Sequence, residues 1–276
     1  MTVIIVFFVT HWLLSVLAQT FFLHRYGAHR MFTMSHRTER VFHFLTWLLQ
    51  GSSYLNPRAY AILHREHHAF SDTVKDPHSP HFFKDVFSMM WQTKERYFGH
   101  IHGTVQAEER FKGPAPSWPL LDRIGDSWLT RGAFAVAYTL VYVAFAPHWL
   151  WYALIPIHVV MGPLHGAIVN WAGHKYGYRN FNSDDKSRNT LPFDFLTAGE
   201  LFQNNHHKFA MSPNFAVRKW ELDPTWPLIR ALAWLKVIKL AEHGQKMRFV
   251  TQKAAIQEPV AEREVAREIA KVSTNV

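Results

Sequence analysis

The 276-residue sequence contains no cysteine. That absence excludes disulfides, iron–sulfur clusters and thiolate metal ligands together, so any metal must be held by nitrogen and oxygen. A G-x-G-x-x-G fingerprint and a P-loop are also missing, and no dinucleotide or nucleotide site is expected. Acidic side chains are scarce relative to basic ones, 21 against 30, which leaves a net charge of +9. Such a balance suits an anionic membrane surface or an acidic partner. No zinc-finger spacing or known nucleic-acid-binding module accompanies it, so nucleic acid ranks last among partners.

Charge is also lacking where apolar residues gather. Thr2 to Leu23 contains no Asp, Glu, Lys or Arg and is about as long as a bilayer core is thick. A cleaved signal peptide is the rival reading, but the basic start and small-residue cleavage site of such a peptide are absent. Trp128–Ala146 and Trp149–Val169, separated by Pro147-His148, predict a helical hairpin crossing the membrane twice. Val41–Leu63 is apolar but interrupted by Gln50, Gly51, Ser52, Ser53, Asn56, Pro57 and Arg58, and is expected to lie in the interface without spanning. The fold class is therefore all-α: an integral-membrane helical bundle of about three spans plus an interfacial helix, with a cytoplasmic helical cap. Residues 1–250 form this domain, with short helices over 70–127 and an amphipathic helix over about Leu228–Ala241, and 251–276 form a polar tail.

Histidine is abundant, at 19 residues. His64, His67 and His68 stand at i, i+3 and i+4, within about 100° of arc on a helix, so their rings can converge. His24 and His29 end the first apolar run, His174 follows the last one four residues after Asn170, and His206-His207 close Gln203-Asn204-Asn205. His24 and His29, five apart, do not share an α-helical face; Gly27 between them is expected to loosen the helix end. Eight clustered imidazoles are about twice what one tetrahedral ion takes, and predict two metals. A shared site also decides topology. If 41–63 crossed the bilayer, His29 and His64 would be a membrane apart. Arg25, Arg30, Arg37, Arg40, Arg58, Arg65, Lys175, Arg179, Lys186, Arg188 and Lys208 flank the clusters, which predicts a cytoplasmic metal face. Glu66, Asp72 and Glu200 are candidate carboxylates for fixing ring tautomers. The other eleven histidines, His78 among them, are expected as polar anchors or solvated groups, with His158 and His165 in the last span the two to watch.

The ordered set His-x4-His, His-x2-His-His, Asn-x3-His and Asn-Asn-His-His, with Lys75-Asp76-Pro77-His78-Ser79-Pro80 and Leu222-Asp223-Pro224-Thr225, resembles the membrane-bound fatty acid desaturases, in particular their acyl-CoA desaturase branch, from about Phe21 to Leu240. The resemblance implies an integral-membrane, non-haem di-iron enzyme that uses O2 and two electrons to leave a cis double bond in a fatty acyl chain. It further implies that His24, His29, His64, His67, His68, His174, His206 and His207 are iron ligands and that Asn170 reaches a metal through water. The sequence departs from the family at Gln203, where the third box ordinarily begins with histidine; glutamine offers a weaker oxygen ligand. It also begins too late for a further apolar span that family members commonly have before the one leading into the first box, so three crossings are expected unless an N-terminal piece is missing. With no cofactor fingerprint for electrons, the resemblance requires an external donor, a small carrier such as ferredoxin or a cytochrome with its reductase. A lipid hydroxylase on the same scaffold and a non-catalytic metal-binding membrane protein are the alternatives.

Overall fold

The computed structural model describes residues 1–241; the predicted tail over 251–276 lies outside them. In chain order the helices are α1 (Thr2–Ala18), running on as a π-helix over Gln19–Ala28, α2 (His36–Gln50), α3 (Pro57–Phe70), α4 (Val86–His102), α5 (Pro119–Asp126), α6 (Trp128–Phe145), α7 (Ile155–Val159), α8 (Met161–Lys175), α9 (Gln203–Lys208) and α10 (Thr225–Trp234). The only named strands among the described residues, β1 (Phe32–Met34) and β2 (Ile238–Leu240), pair antiparallel with Phe32 opposite Leu240. The helix expected over 228–241 therefore stops at Trp234. Its last residues join a ribbon that ties the chain's end to the segment after the first histidine pair. Ile238 and Phe32 are both buried in the largest apolar cluster, with Phe21, Phe202 and Ile229.

Two helices are long and apolar enough to cross a membrane, Thr2–Ala28 and Trp128–Phe145, or three if Trp149–Val159 and Met161–Lys175 count as one span bent by 74°. The expected straight second arm of the hairpin is thus a broken one. Pro163 has no N–H to offer the Val159 carbonyl four residues back. Ser52 Oγ donates to that carbonyl instead (3.2 Å), and Gly162 N donates to Ser53 Oγ (3.0 Å). The backbone groups released by the bend are satisfied from the 51–53 turn, as burial in an apolar medium demands.

Val41–Leu63 is not one helix either. At fifteen residues α2 is shorter than the about 20 needed to span, and Gly51 ends it with φ at +52°. A Cβ there would meet Tyr138 Oη at 1.9 Å, so only glycine fits this turn against α6. The chain then restarts at α3, where Asn56 Oδ1 accepts from Arg58 N and Ala59 N ahead of Pro57 at the first helical position. His29 and His64 consequently remain on one side of the fold.

Two histidines inside the apolar helices, His11 and His158, also find partners. His11 Nε2 faces the Leu49 carbonyl (3.1 Å), His11 Nδ1 faces His158 Nδ1 (2.6 Å), and His158 Nε2 faces Tyr142 Oη (2.9 Å). One proton per ring satisfies that chain. His165 packs edge to face on Trp12, with ring centroids 4.5 Å apart, but both its ring nitrogens are buried without a hydrogen-bond partner.

Candidate metal centre and acyl cavity

Each histidine owes its place to a local feature of its element. Between Gln19 and Ala28 the backbone is π-helical, and His29 N donates to the His24 carbonyl five residues back (3.1 Å). An i, i+5 pair shares a face on that helix, which an α-helical reading could not show. The α3 triplet lies where its spacing predicts. Arg65, between the ligand candidates, donates to five backbone carbonyls, those of Gly27, Ala28, Phe111, Gly113 and Pro114. It thereby clamps α3 to the end of the π-helix. On α9, Asn204 and Asn205 brace rather than bind. Asn204 Oδ1 accepts from Asn180 N and Phe181 N. Asn205 Oδ1 accepts from Asn180 Nδ2 and Asn189 Nδ2, while its amide donates to the Phe215 carbonyl and to Glu221.

The eight sequence-predicted histidines gather into two groups. In the first, ring nitrogens of His24, His29, His64, His68 and His206 all lie within 4.8 Å of one another. His24 Nε2 and His206 Nε2 are 3.0 Å apart, His68 Nε2 and His206 Nε2 2.9 Å, and His29 Nε2 and His64 Nε2 2.7 Å. Such spacings are about the edges of a coordination polyhedron with metal–nitrogen bonds near 2.1 Å. His206 Nε2 has one position to share between two neighbours, so hydrogen bonding alone cannot satisfy the set. Glu200 places a carboxylate oxygen 2.6 Å from His24 Nδ1, which fixes the proton there and turns the Nε2 lone pair inward. Burial, then repulsion among neighbouring imidazoles, holds His29, His64, His68 and His206 well below the ordinary histidine value. Neutral rings are the form a metal needs.

The second group is His67, His174 and His207. Each Nδ1 meets a carboxylate: His67 meets Asp76 at 2.9 and 3.0 Å, His174 meets Asp72 at 2.8 Å, and His207 meets Asp185. Each Nε2 is buried without a partner. Three imidazoles oriented by carboxylates, with three orphaned nitrogens aimed at one another, fit a cation. Burial would raise all three carboxyls, but their histidine partners hold them below the usual carboxylate value. His207 is pushed down to about 4, by burial first, against the pull of Asp185. His67 differs: burial lowers it, yet the charge and hydrogen bond of Asp76 leave it raised.

The carboxylates divide the sequence expectations. Asp72 and Glu200 do orient ring nitrogens. Glu66 does not, because it pairs with Arg96 (2.7 Å) and His100 (3.2 Å) on α4. Asp76 and Asp185 were missed. Asp76 had a signal, standing in the Asp-Pro-His that follows the second box, whereas Asp185 sits in a loop without one. His78, expected as an anchor, lies beside His67 with ring centroids 4.3 Å apart and both nitrogens buried and unpartnered. Gln203 Nε2 donates to the Glu200 carbonyl (2.7 Å). Asn170 stands one turn before His174 and lines a cavity.

That cavity, about 730 Å³, runs among α1, α3, α4, α6 and α8. Its inner end reaches His64, His78, Asn170 and Gln203, and its other walls are apolar, from Val16, Leu63, Phe98, Ala135 and Val169. Phe87, Trp91 and Lys94, spaced along one face of α4, and Trp128 at the start of α6 also line it; Phe87, Trp91 and Trp128 are exposed. A largely apolar cavity that meets a nitrogen-lined centre suits a flexible hydrocarbon.

The family model for fatty acid desaturases matches residues 1–249. The chain belongs to the fatty acid desaturase family. This desaturase is 31% identical over 249 residues to a delta-9 desaturase-like protein of Arabidopsis thaliana, covering 85% of this chain and 76% of that one. It is 29% identical to an acyl-CoA 5-desaturase of Anemone leveillei, over 85% of this chain and 72% of that one. To an sn-1 stearoyl-lipid 9-desaturase of a Synechocystis strain it is 30% identical, over 78% of this chain and 64% of the relative.

Proposed function

We propose that the protein is an O2-dependent acyl desaturase that introduces a cis double bond into a fatty acyl chain at a histidine-ligated di-iron centre. The observation carrying this reading is the meeting of an apolar cavity with two groups of converging imidazoles. His24, His29, His64, His68 and His206 would hold one ion; His67, His174 and His207 the other, with Asn170 acting through water and Gln203 as a weaker oxygen donor. Two iron ions, with O2 and two electrons from an external carrier and its reductase, would supply the oxidising power to take two hydrogens from adjacent methylenes. The protein's own part is orientation. The cavity walls hold the chain extended past the centre and exclude water, and Glu200, Asp72, Asp76 and Asp185 keep the ring protons on Nδ1, away from the metal.

The acyl group would enter between α4 and the start of α6, where Trp91 and Trp128 suit the membrane–water boundary. The basic residues around the histidine boxes support a cytoplasmic centre in a multi-pass protein, a face that also suits an acidic electron carrier. Acyl-CoA is the substrate of one relative and an acyl lipid of another, and the reading takes in both carriers. Expressing the protein in a host and profiling its lipids tests the proposal. New cis double bonds at one position are the expected result. New hydroxyl groups would turn the assignment to a hydroxylase on the same scaffold, and an unchanged profile, with electron donors supplied, to a metal-binding protein without this activity.

A further inference from the structure

We propose that the acyl substrate is carried on a membrane glycerolipid, whose chain enters the cavity sideways from the bilayer through a slot between α6 and α8 that Gly132 and Gly166 hold open. The inference rests on the desaturase reading above and names the acyl carrier for it.

The opening is traced by residues that both line the cavity and remain exposed: Phe87 and Trp91 on α4, Trp128 and Gly132 on α6, Val160 and Pro163 at the α7–α8 bend. None of the six carries a charge. On α6 the exposed Val136, Leu140 and Val143 follow Gly132 at successive helical turns, so this glycine continues an outward apolar stripe at a place where the stripe has no side chain. Gly132 lies four residues, about 6 Å, into α6, and Gly166 lies nine residues, about 14 Å, before the end of α8 at Lys175. The slot therefore runs from the boundary that Trp128 suits into the hydrocarbon layer.

A Cβ built on Gly132 or on Gly166 would meet no atom within 4 Å, and neither residue has a positive φ. Turn geometry and close helix packing do not call for glycine at either position. Gly162 and Gly173 on the same helix as Gly166 differ, because a Cβ there would press on Ser53 and Gln203. Glycine inside a helix is unfavourable relative to alanine; what these two positions gain is empty space along the cavity wall.

Charge at the opening argues the same way. A soluble thioester carrier brings phosphate groups or an acidic protein surface, and recognition of either calls for several cations where the chain enters. Lys94 and Arg131 are the only lysine and arginine lining the cavity. Arg131 is committed inside the protein, donating to the Ser52 and Tyr54 carbonyls (2.8 Å each) and standing 3.6 Å from Asp126. Lys94 Nζ lies 3.7 Å from the Trp91 ring centroid and 3.0 Å from Glu95. One paired lysine is a poor receptor for a polyanionic carrier, whereas a lipid headgroup stays at the membrane boundary and needs none.

Photolabelling tests the proposal without turnover. The full chain, purified and placed in phosphatidylcholine vesicles, is irradiated with a phosphatidylcholine bearing a diazirine on one acyl chain or, in parallel, with the coenzyme A thioester of the same diazirine acid, and adducts are located by mass spectrometry. The lipid probe is expected to mark cavity residues such as Val16, Ala135 and Val169, and an excess of unlabelled stearoyl-CoA to leave that marking in place. Gly132→Leu/Gly166→Leu is expected to abolish it. Leucine is the better helix former and each new Cβ has room, so the double variant should unfold no earlier than wild type. Cavity marking by the thioester that equals or exceeds marking by the lipid overturns the proposal, and so does lipid marking that survives the double substitution. Should the double variant fail to fold, the two probes compared on wild type decide by themselves. A lipid profile without new double bonds is a failure of the desaturase reading, which the labelling does not depend on.

Discussion

The two imidazole groups solve the same problem in different ways. The richer group draws on α1's π-helical end, α3 and α9, and relies on number: five converging rings, with one carboxylate, Glu200, behind His24. The poorer group relies on orientation: three rings, each with its own carboxylate from the loops over 71–80 and 183–187. A centre built on number should lose function when a ring goes. One built on orientation should be sensitive to carboxylates that never touch the metal. The loops are therefore as much a part of the site as the helices.

Removing a shared ring should have the largest effect. His206 Nε2 approaches both His24 and His68, so His206→Ala should abolish new double bonds in the lipid profile and release metal from the five-ring group. Asp185→Asn should leave the fold intact but weaken metal at the three-ring group by about 10- to 100-fold, read by chelator competition, with the other ion retained. If both ions leave together, the two groups are one cooperative unit and the contrast fails. Arg65→Ala should act on both groups through the backbone. With five carbonyls losing their donor, stability should drop by about 2–4 kcal/mol, measured by thermal or denaturant unfolding in detergent. Arg65→Lys should recover only part of it, because an ammonium cannot span the fork.

Acidification offers the mildest test. In the metal-free protein, His29, His64, His68 and His206 sit below their unfolded values. The unfolded chain therefore binds protons that the folded one refuses, and stability falls as pH drops through about 6.5. His67 has the opposite sign: raised in the fold, its contribution is complete below about 6.5 and is lost as pH climbs through its folded value. Asp72, Asp76 and Asp185, lowered in the fold, contribute above about 4 and lose that contribution below it. With His207 also pushed down to about 4, five of the clustered rings against one predict net acid destabilisation between pH 7 and 5, by urea unfolding of metal-free protein. Asp76→Asn should steepen it by removing the one opposing contribution.

Much of this was legible in the order of residues. The α3 triplet is a consequence of 3.6-residue periodicity, the apolar runs declare the long helices, and the interruptions at Gln50–Ser53 and Asn56-Pro57 predict a segment that does not span. Gly51 and the Asn56 cap bear that segment out locally. The broken α7–α8 was written as Pro163 and Gly162, yet its tolerance depends on Ser52 and Ser53 arriving from another part of the chain to satisfy the freed backbone. The His24–His29 convergence was expected from a loosening at Gly27, but its form, a π-helix over Gln19–Ala28 that puts i and i+5 on one face, has no compositional signature.

Sequence by itself determined which side chains are on offer: without cysteine and with eight clustered histidines, nitrogen-rich groups were the remaining economical choice. Only the tertiary structure decided how those imidazoles divide and which carboxylates stand behind them. It also brought His78 beside His67 while Gln203 turned its amide toward Glu200. The physical reason is that a side chain's type and period are local properties, whereas the protonation and orientation of a buried ring are set by partners 9 to 102 residues away along the chain, as Asp76 is from His67 and Asp72 from His174.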